Sequence, residues 1–166
     1  MTKLIFIGGA PGSGKTTNSK LLQQKLKCPL IDFGSLRMFH LNEKWTNVSK
    51  KEEQMSFENL TFILRNYLKQ RYKHAIVNDL QDFRIQQIPQ LFASKDYKIF
   101  SLVLSDEQEL KHRVLDQSRD SGFRNVRKAL LWNRRLKRRR LVKNEFKIEN
   151  SHLIQSETVK EIARGI

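Results

Sequence analysis

The sequence contains little cysteine and no long apolar run, and both shortages exclude classes of protein. A single cysteine, Cys28, excludes an internal disulfide framework and fits a reducing compartment. No apolar run approaches the roughly 20 residues that cross a bilayer. The apolar run before Gly8 has only four residues, Leu4–Ile7, too few for the core of a secretory signal. There is no internal repeat or low-complexity linker, so we expect one soluble, cytoplasmic domain of 166 residues without a membrane partner.

Acidic residues are also scarce, and the resulting positive charge is unevenly distributed. The chain has 17 Asp and Glu against 32 Lys and Arg, a net charge of +15, which favours anionic partners. Ten of the 20 positions from Arg124 to Lys143 are Lys or Arg, and none is acidic. This stretch is either a solvated helix face, a lid helix facing a nucleotide, or a surface giving weak, non-specific nucleic-acid binding. Trp132 within it either packs against its neighbours or stacks on a base.

Short apolar runs alternate with helical patterns along the whole chain. Strands are expected near residues 4–7, 29–33, 75–77, 98–104 and 146–149. Helices are expected near 15–26, 35–40, 54–72, 84–93, 106–116, 124–143 and 157–164. Ser105 is the expected cap of the helix at 106–116, with Gln108 reaching back to it. Such alternation predicts an α/β fold, a mostly parallel sheet covered by helices on both faces. Ligands of such sheets bind beyond the carboxyl ends of the strands.

A glycine-rich segment between the first strand and the first helix is the strongest motif. It matches G-x-x-x-x-G-K-[ST] in full and consists of Gly9, Ala10, Pro11, Gly12, Ser13, Gly14, Lys15 and Thr16. Its glycines let backbone N–H groups converge on a phosphate chain, which the helix N-terminus also attracts. Lys15 reaches the β- and γ-phosphates, and the Thr16 hydroxyl ligates Mg²⁺. We predict that this phosphate loop and the adjoining Thr17 bind ATP.

Two carboxylates end predicted strands on the same side as the phosphate loop. Asp32 is placed to hold Mg²⁺ through water or to accept the proton of an acceptor hydroxyl. Asp79 is placed to hold a Mg²⁺-bound water. Each could instead cap the turn that follows its strand. Asp82 either substitutes for Asp79 or caps the helix that follows. No metal site is expected beyond the Mg²⁺ that accompanies the nucleotide.

Several arginines are candidates for binding phosphate or carboxylate groups. Arg37 and Arg84 suit bidentate contacts to an acceptor. Arg113 is a candidate nucleotide contact and Arg119 a candidate catalytic residue, because positive charge closing over the transferring group favours phosphoryl transfer. In so basic a chain, each of them could also be an ordinary surface arginine.

The chain resembles, over essentially its whole length, the P-loop kinases of the adenylate kinase and shikimate kinase type, especially small bacterial kinases inferred from sequence. Beside the phosphate loop, the resemblance rests on residues 32–37, Asp79, Arg84, the arginine-bearing segment 113–123 and residues 150–153. Gly34 departs from the pattern, because family members often carry an acidic residue there. So does the segment after Asp79, where adenylate kinases have Gly-Phe-Pro-Arg.

The resemblance implies a five-stranded parallel sheet in the order 2-3-1-4-5 and direct phosphoryl transfer from ATP with Mg²⁺. It also implies a single domain over residues 1–166, with an acceptor-side helical segment at about 34–73 and a lid at about 113–127. It does not identify the acceptor or the oligomeric state.

Three functional hypotheses remain open at this point. The first is a kinase acting on a small hydroxyl- or phosphate-bearing molecule such as a nucleoside, a nucleotide or a sugar-like metabolite. The second is a polynucleotide 5′-kinase, suggested by the basic stretch. The third is a regulatory or nucleic-acid-associated ATP-binding module with little transferase activity.

Overall fold

The computed structural model describes residues 3–41, 46, 49–118 and 121–166. The strands are β1 (Leu4–Gly9), β2 (Leu30–Asp32), β3 (Ala75–Asn78), β4 (Tyr97–Val103) and β5 (Glu145–Glu149). The helices are α1 (Lys15–Leu26), α2 (Phe33–Arg37), α3 (Lys50–Lys69), α4 (Asp82–Ile85), α5 (Ile88–Leu91), α6 (Glu107–Leu115), α7 (Val126–Arg138) and α8 (Gln155–Gly165). A short 3₁₀ helix, Ser94–Asp96, precedes β4.

The five strands form one parallel sheet in the order β2-β3-β1-β4-β5. The central strand, β1, is buried on both faces. Its apolar residues are consecutive and do not alternate with polar ones, which is the pattern of such a strand. Its neighbours β3 and β4 are buried along nearly their whole length. The predicted α/β class and the implied strand order are therefore both confirmed.

Alternate residues of β1 supply the two hydrophobic cores on opposite faces of the sheet. Leu4 and Phe6 lie in the first core, which contains residues of α3 and α4. Ile5 and Ile7 lie in the second, which contains residues of α1 and α8. These cores hold the carboxyl ends of the strands, and the loops that follow them, in fixed positions.

A third, smaller cluster joins α6 and α7 to the end of β4. It is formed by Leu104, Leu110, Val114 and Ala129, all fully buried. Asn133 of α7 reinforces the join: its Oδ1 accepts a hydrogen bond from the Leu104 N–H at 3.0 Å, and its Nδ2 donates to the Leu104 carbonyl at 2.7 Å. The basic helix is thus anchored to the sheet by the side that carries no charge.

Several helix boundaries differ from those expected, for local reasons. Helix α3 begins at Lys50 because Ser49 caps it, its Oγ accepting from the Glu52 N–H. The helix expected over 84–93 is two short helices, α5 having Pro89 in its first turn. Helix α6 is capped by Asp106, not by Ser105 as expected.

Candidate active site

The phosphate loop connects β1 to α1 and takes a conformation that only glycines allow at three points. Gly9, Gly12 and Gly14 have φ angles of 145°, 86° and 90°, which side chains disfavour. A Cβ on Gly9 would lie 2.3 Å from Ser13 Oγ, and one on Gly14 would lie 3.0 Å from Asn18 Nδ2. The three glycines therefore shape the loop both by their φ angles and by the space they leave.

Side chains from α1 and from the loop after β5 brace this loop. Asn18 Nδ2 donates to the Gly14 carbonyl at 2.9 Å. Asn150 Nδ2 donates to the Ser13 carbonyl at 2.8 Å, and Asn150 Oδ1 accepts from Thr158 of α8 at 2.5 Å. Lys15 Nζ donates to the Ala10 carbonyl at 3.2 Å, so the lysine is folded over its own loop. The backbone that would hold phosphate is thereby fixed before any ligand binds.

The first turn of α1 presents polar groups beside the loop. Gly14 occupies the N-cap position of α1. Because glycine has no side chain, it offers no side-chain acceptor to the first N–H groups of the helix. The side chains of Thr16 and Thr17 are exposed, and Lys15 is half-buried. The N-terminus of a helix attracts an anion.

Asp32 and Asp79 face the same small space at the carboxyl edge of the sheet. Asp32 ends β2, and Asp79 follows β3, the neighbouring strand. A Cβ on Gly34 would lie 2.8 Å from Asp79 Oδ2 and 3.1 Å from Asp32 Oδ1. Asp32 also caps α2, since its Oδ1 accepts from the Ser35 N–H at 2.8 Å. Of the two alternatives that the sequence left open for Asp32, capping is observed, and the functional role stays a prediction.

Asp79 has an unusual backbone and a perturbed carboxyl group. Its φ of 60° lies in the left-handed region, where Asp is more common than most side chains. Although solvent reaches the residue, desolvation by the surrounding chain raises the pKa of Asp79, and the nearby charge of Asp32 raises it further. Lys15 and Arg37 act in the opposite direction. Two carboxylates and two cations therefore interact around one point.

A cavity of about 450 Å³ opens beside this group of charges. Its wall includes Arg37, Arg84, Phe83, Gln81 and Lys50, supplied by α2, α3 and the segment that follows β3. The size is within the range of small-molecule sites. Arg37 links the cavity to the carboxylates, because it both lines the wall and interacts with Asp79.

Arg84 is buried at the wall of this cavity and already bound to protein groups. Its guanidinium donates to both carboxylate oxygens of Glu53, and to the side-chain carbonyls of Gln54 and Gln87 at 2.7 and 2.9 Å. It also lies against the Phe57 ring, 4.3 Å from the centroid. The structure thus places Arg84 beside the cavity with its charge paired, whereas Arg37 lies closer to the carboxylates.

Two arginines of the expected lid, Arg113 and Arg124, hydrogen-bond to protein groups. Arg113 Nη2 donates to the Ser151 carbonyl at 2.7 Å and its Nε to Glu109 Oε1 at 2.6 Å, which joins α6 to the loop after β5. Arg124 donates to the backbone carbonyls of Ser121 and Phe123. Arg119, the arginine expected to take part in catalysis, lies outside the described residues, and its role stays a prediction.

Three residues that sequence reasoning did not single out help to build the site. Asn150 braces the phosphate loop, and Glu53 pairs with Arg84. Glu149 accepts from the N–H and hydroxyl groups of both Ser105 and Ser151, which join the loops after β4 and β5. Desolvation by the neighbouring chain opposes the ionisation of this exposed residue, but the hydrogen bonds together outweigh it and lower the pKa of Glu149 to about 2. Only Asn150 had a sequence signal, because it lies in a segment carrying the family resemblance.

The polar groups of this site fit a nucleoside triphosphate with Mg²⁺. Ser13 Oγ is buried without a hydrogen-bond partner among the described residues, at the point where Gly9 leaves no room for a side chain. The hydroxyl of Thr16 and the carboxylates of Asp32 and Asp79 are hard oxygen donors, the type that Mg²⁺ prefers. Within the described residues, no three His, Cys, Asp or Glu side chains cluster as a metal site.

The part of the chain described by the structure also lacks any helix with the length and apolar character required to span a membrane.

Comparison with known proteins identifies the fold through solved structures. No family model matches the chain, and no curated protein matches it. A gluconokinase from Sinorhizobium meliloti 1021 is 14% identical, with a TM-score of 0.69 over 98% of this chain and 90% of that one. Shikimate kinase from Acinetobacter baumannii, in complex with shikimate, is 18% identical, with a TM-score of 0.63 over 99% and 92%. The chain has the fold of P-loop kinases.

A further similar structure is the Pnkp1/Rnl/Hen1 RNA repair complex. It is 17% identical, with a TM-score of 0.65. The match covers 86% of this chain but only 47% of that one, so the shared fold is one part of a larger protein.

Proposed function

We propose that the chain is an ATP-dependent phosphotransferase acting on a small hydroxyl- or phosphate-bearing acceptor. The observation that carries this proposal is the arrangement of the phosphate loop, two carboxylates and a side cavity around one point of the sheet edge. In this proposal the single domain has an acceptor side at residues 34–73 and a lid at 113–127. The kinase fold of its structural neighbours supports the same reaction class.

Each part of the site has a role in this reaction. The loop N–H groups and Lys15 hold the triphosphate and offset the negative charge that spreads over the transferring group. Mg²⁺, when bound, supplies charge neutralisation between the phosphates. Thr16 and Asp79 hold the ion directly or through water, and Asp32 orients the acceptor hydroxyl and accepts its proton.

The cavity wall selects and positions the acceptor. Arg37 binds an anionic or polar group of the acceptor close to the carboxylates. Arg84 forms part of the wall, and Glu53 keeps its guanidinium in a fixed orientation. Arg113, Arg119 and the rest of the lid segment close over the nucleotide and exclude water, which limits wasteful hydrolysis.

The test is acceptor-dependent ADP release from ATP and Mg²⁺. The acceptor panel contains sugar acids, nucleosides, nucleoside monophosphates and a 5′-hydroxyl oligonucleotide. Turnover on the correct acceptor should fall about 10²–10³-fold in Lys15→Met, because a charge that stabilises the transition state is removed. Lys25→Met, which changes an exposed lysine at the other end of α1, is the matched control. Wild-type turnover in Lys15→Met would contradict the mechanism.

A second candidate, a polynucleotide 5′-kinase, is favoured by one observation, the dense positive charge on α7. Turnover on the 5′-hydroxyl oligonucleotide alone would select it. Tight ATP binding without ADP release on any acceptor would favour the third possibility, a nucleotide-binding module with little transferase activity.

A further inference from the structure

Helix α7 carries a cluster of cations on the side that faces away from the protein. Ala129, Asn133 and Leu136 are buried against the sheet and α6, and define its inner side. At about 100° per residue, five exposed cations fall within roughly one third of the helix circumference on the other side. They are Arg127, Lys128, Arg134, Arg135 and Arg138, and we call them the α7 basic face.

The charge of the α7 basic face is largely uncompensated. Arg134 is paired with Glu107, its Nε donating at 2.6 Å. Within the described residues, the other four cations form no ion pair. Four like charges on neighbouring turns repel one another, which costs stability unless a polyanion neutralises them.

Arg139, the residue after α7, differs from the exposed arginines of the helix because its side chain is largely buried. Arg139 follows α7 and turns inward, where its side chain donates to Asp82 and to the fully buried carboxylate of Glu145. It is therefore a structural residue and does not belong to the α7 basic face. Apart from Arg134, the cations of the α7 basic face form no ion pair within the described residues, so they remain available to a ligand.

An aromatic group borders the α7 basic face. Trp132 lies one helical turn after Lys128 on the same side and is 44% exposed. The Phe123 ring packs against the Trp132 ring, with the two centroids 5.8 Å apart. Cations beside an exposed, supported aromatic ring are the combination that binds phosphates and stacks unpaired bases.

We propose that the α7 basic face, together with Trp132, binds single-stranded nucleic acid. Its cations neutralise successive phosphates, and Trp132 stacks on a base. A duplex offers no free base face to Trp132, so the single strand is preferred. An anionic membrane fits less well, because the apolar side of α7 is buried in the protein and cannot enter a bilayer.

This surface leaves the phosphate loop accessible. Helix α6 contacts the loop, since a Cβ on Gly12 would lie 2.9 Å from Val114 Cγ2. Helix α7 packs on α6 through Ala129, and of its basic face only Arg134 reaches α6, at Glu107. A nucleotide and a nucleic-acid strand can therefore be bound together. The proposal concerns binding and stands whether or not the chain is a kinase.

The test is fluorescence anisotropy with a labelled single-stranded oligonucleotide, titrated at several salt concentrations. The triple variant Arg127→Gln, Arg135→Gln and Arg138→Gln removes three phosphate contacts. We expect at least a tenfold loss of affinity at low salt and a salt slope that is lower by about 2, since each single-strand contact contributes about 0.7. A matched triple variant changes three exposed lysines elsewhere, Lys25, Lys69 and Lys73, to Gln and should bind as the wild type does.

A second variant separates stacking from charge. Trp132→Leu should weaken binding at least about fivefold and leave the salt slope unchanged, because stacking involves no counterion release. Circular dichroism and thermal unfolding of all variants report whether they fold.

Equal losses of oligonucleotide affinity in the two triple variants would overturn the proposal in favour of an effect of overall charge. Tighter binding of the duplex form, or binding of anionic vesicles but not of the oligonucleotide, would also overturn it.

Discussion

The side chain of Asn150 holds the carbonyl of Ser13, which lies 137 residues earlier in the chain. The two groups are 2.8 Å apart, and the contact is buried. Thr158 orients the amide by donating to Asn150 Oδ1 at 2.5 Å. The loop after β5 thereby fixes the peptide between Ser13 and Gly14, which carries one N–H group of the phosphate loop.

Asn150→Asp should lower nucleotide affinity by at least tenfold. The substitution replaces a donor with a carboxylate that repels the Ser13 carbonyl and places negative charge beside the phosphate site. Isothermal titration with ATP and Mg²⁺ measures the change, and Asn144→Asp, in the turn before β5, controls for the charge. Unchanged affinity in Asn150→Asp would mean that the brace does not shape the loop.

Gly34→Ala should lower kcat about tenfold or more while the fold stays intact. The new Cβ would lie 2.8 Å from Asp79 Oδ2, so the carboxylate must move away from Asp32. Alanine otherwise favours the helical backbone at this position. Ser35→Ala, at an exposed position of the same helix, is the control and should keep its activity. A melting temperature equal to that of the wild type excludes unfolding as the cause of the loss.

Arg139→Met should destabilise the protein by about 3 kcal/mol, because it leaves the buried Glu145 carboxylate without its cation. For a chain of this size, the melting temperature would fall by roughly 6–12 °C. Arg138→Met removes a neighbouring exposed arginine and should change stability by less than about 0.5 kcal/mol. The double variant Arg139→Met and Glu145→Met should be more stable than Arg139→Met alone. An equal or greater loss in the double variant would show that the charge pair is not the cause.

Glu149→Gln should reduce the dependence of stability on acid pH. The pKa of Glu149 is held at about 2, below its usual value, by hydrogen bonds to the ionised form. Its stabilisation is therefore present above about pH 4.5 and is lost as the pH falls towards 2. The side chain is exposed, so solvent limits the effect to at most about 1 kcal/mol. Thermal unfolding of both proteins between pH 7 and 2 tests this: a constant difference across the range would contradict it.

The order of the elements and the phosphate loop could be predicted because their signals are local. A run such as Leu4–Ile7 indicates a buried strand by itself, and the spacing of Gly9, Gly14 and Lys15 specifies one loop. Asp32 and Asp79 could be placed at the same edge because both follow strands of a parallel sheet. The prediction of Ser105 as a cap was wrong because Asp106, the next residue, offers an equivalent oxygen.

The partners of the charged residues could not be predicted, because they depend on tertiary contacts. Nothing local distinguishes Arg139, which is buried against Asp82 and Glu145, from the exposed Arg138. The pairing of Arg84 with Glu53 joins residues from separate helices. With 32 Lys and Arg and 17 Asp and Glu, the sequence allows many different ion pairs. Tertiary packing determines which of these ion pairs form.

The position of Asn150 has a consequence for synthesis. The phosphate loop is synthesised before Asn150, and β1 lacks its neighbours until β3 and β4 have followed. The contact that fixes Ser13 has to wait for residue 150. If the chain binds ATP as proposed, nascent chains that end before Asn150 should not be protected by ATP from proteolysis.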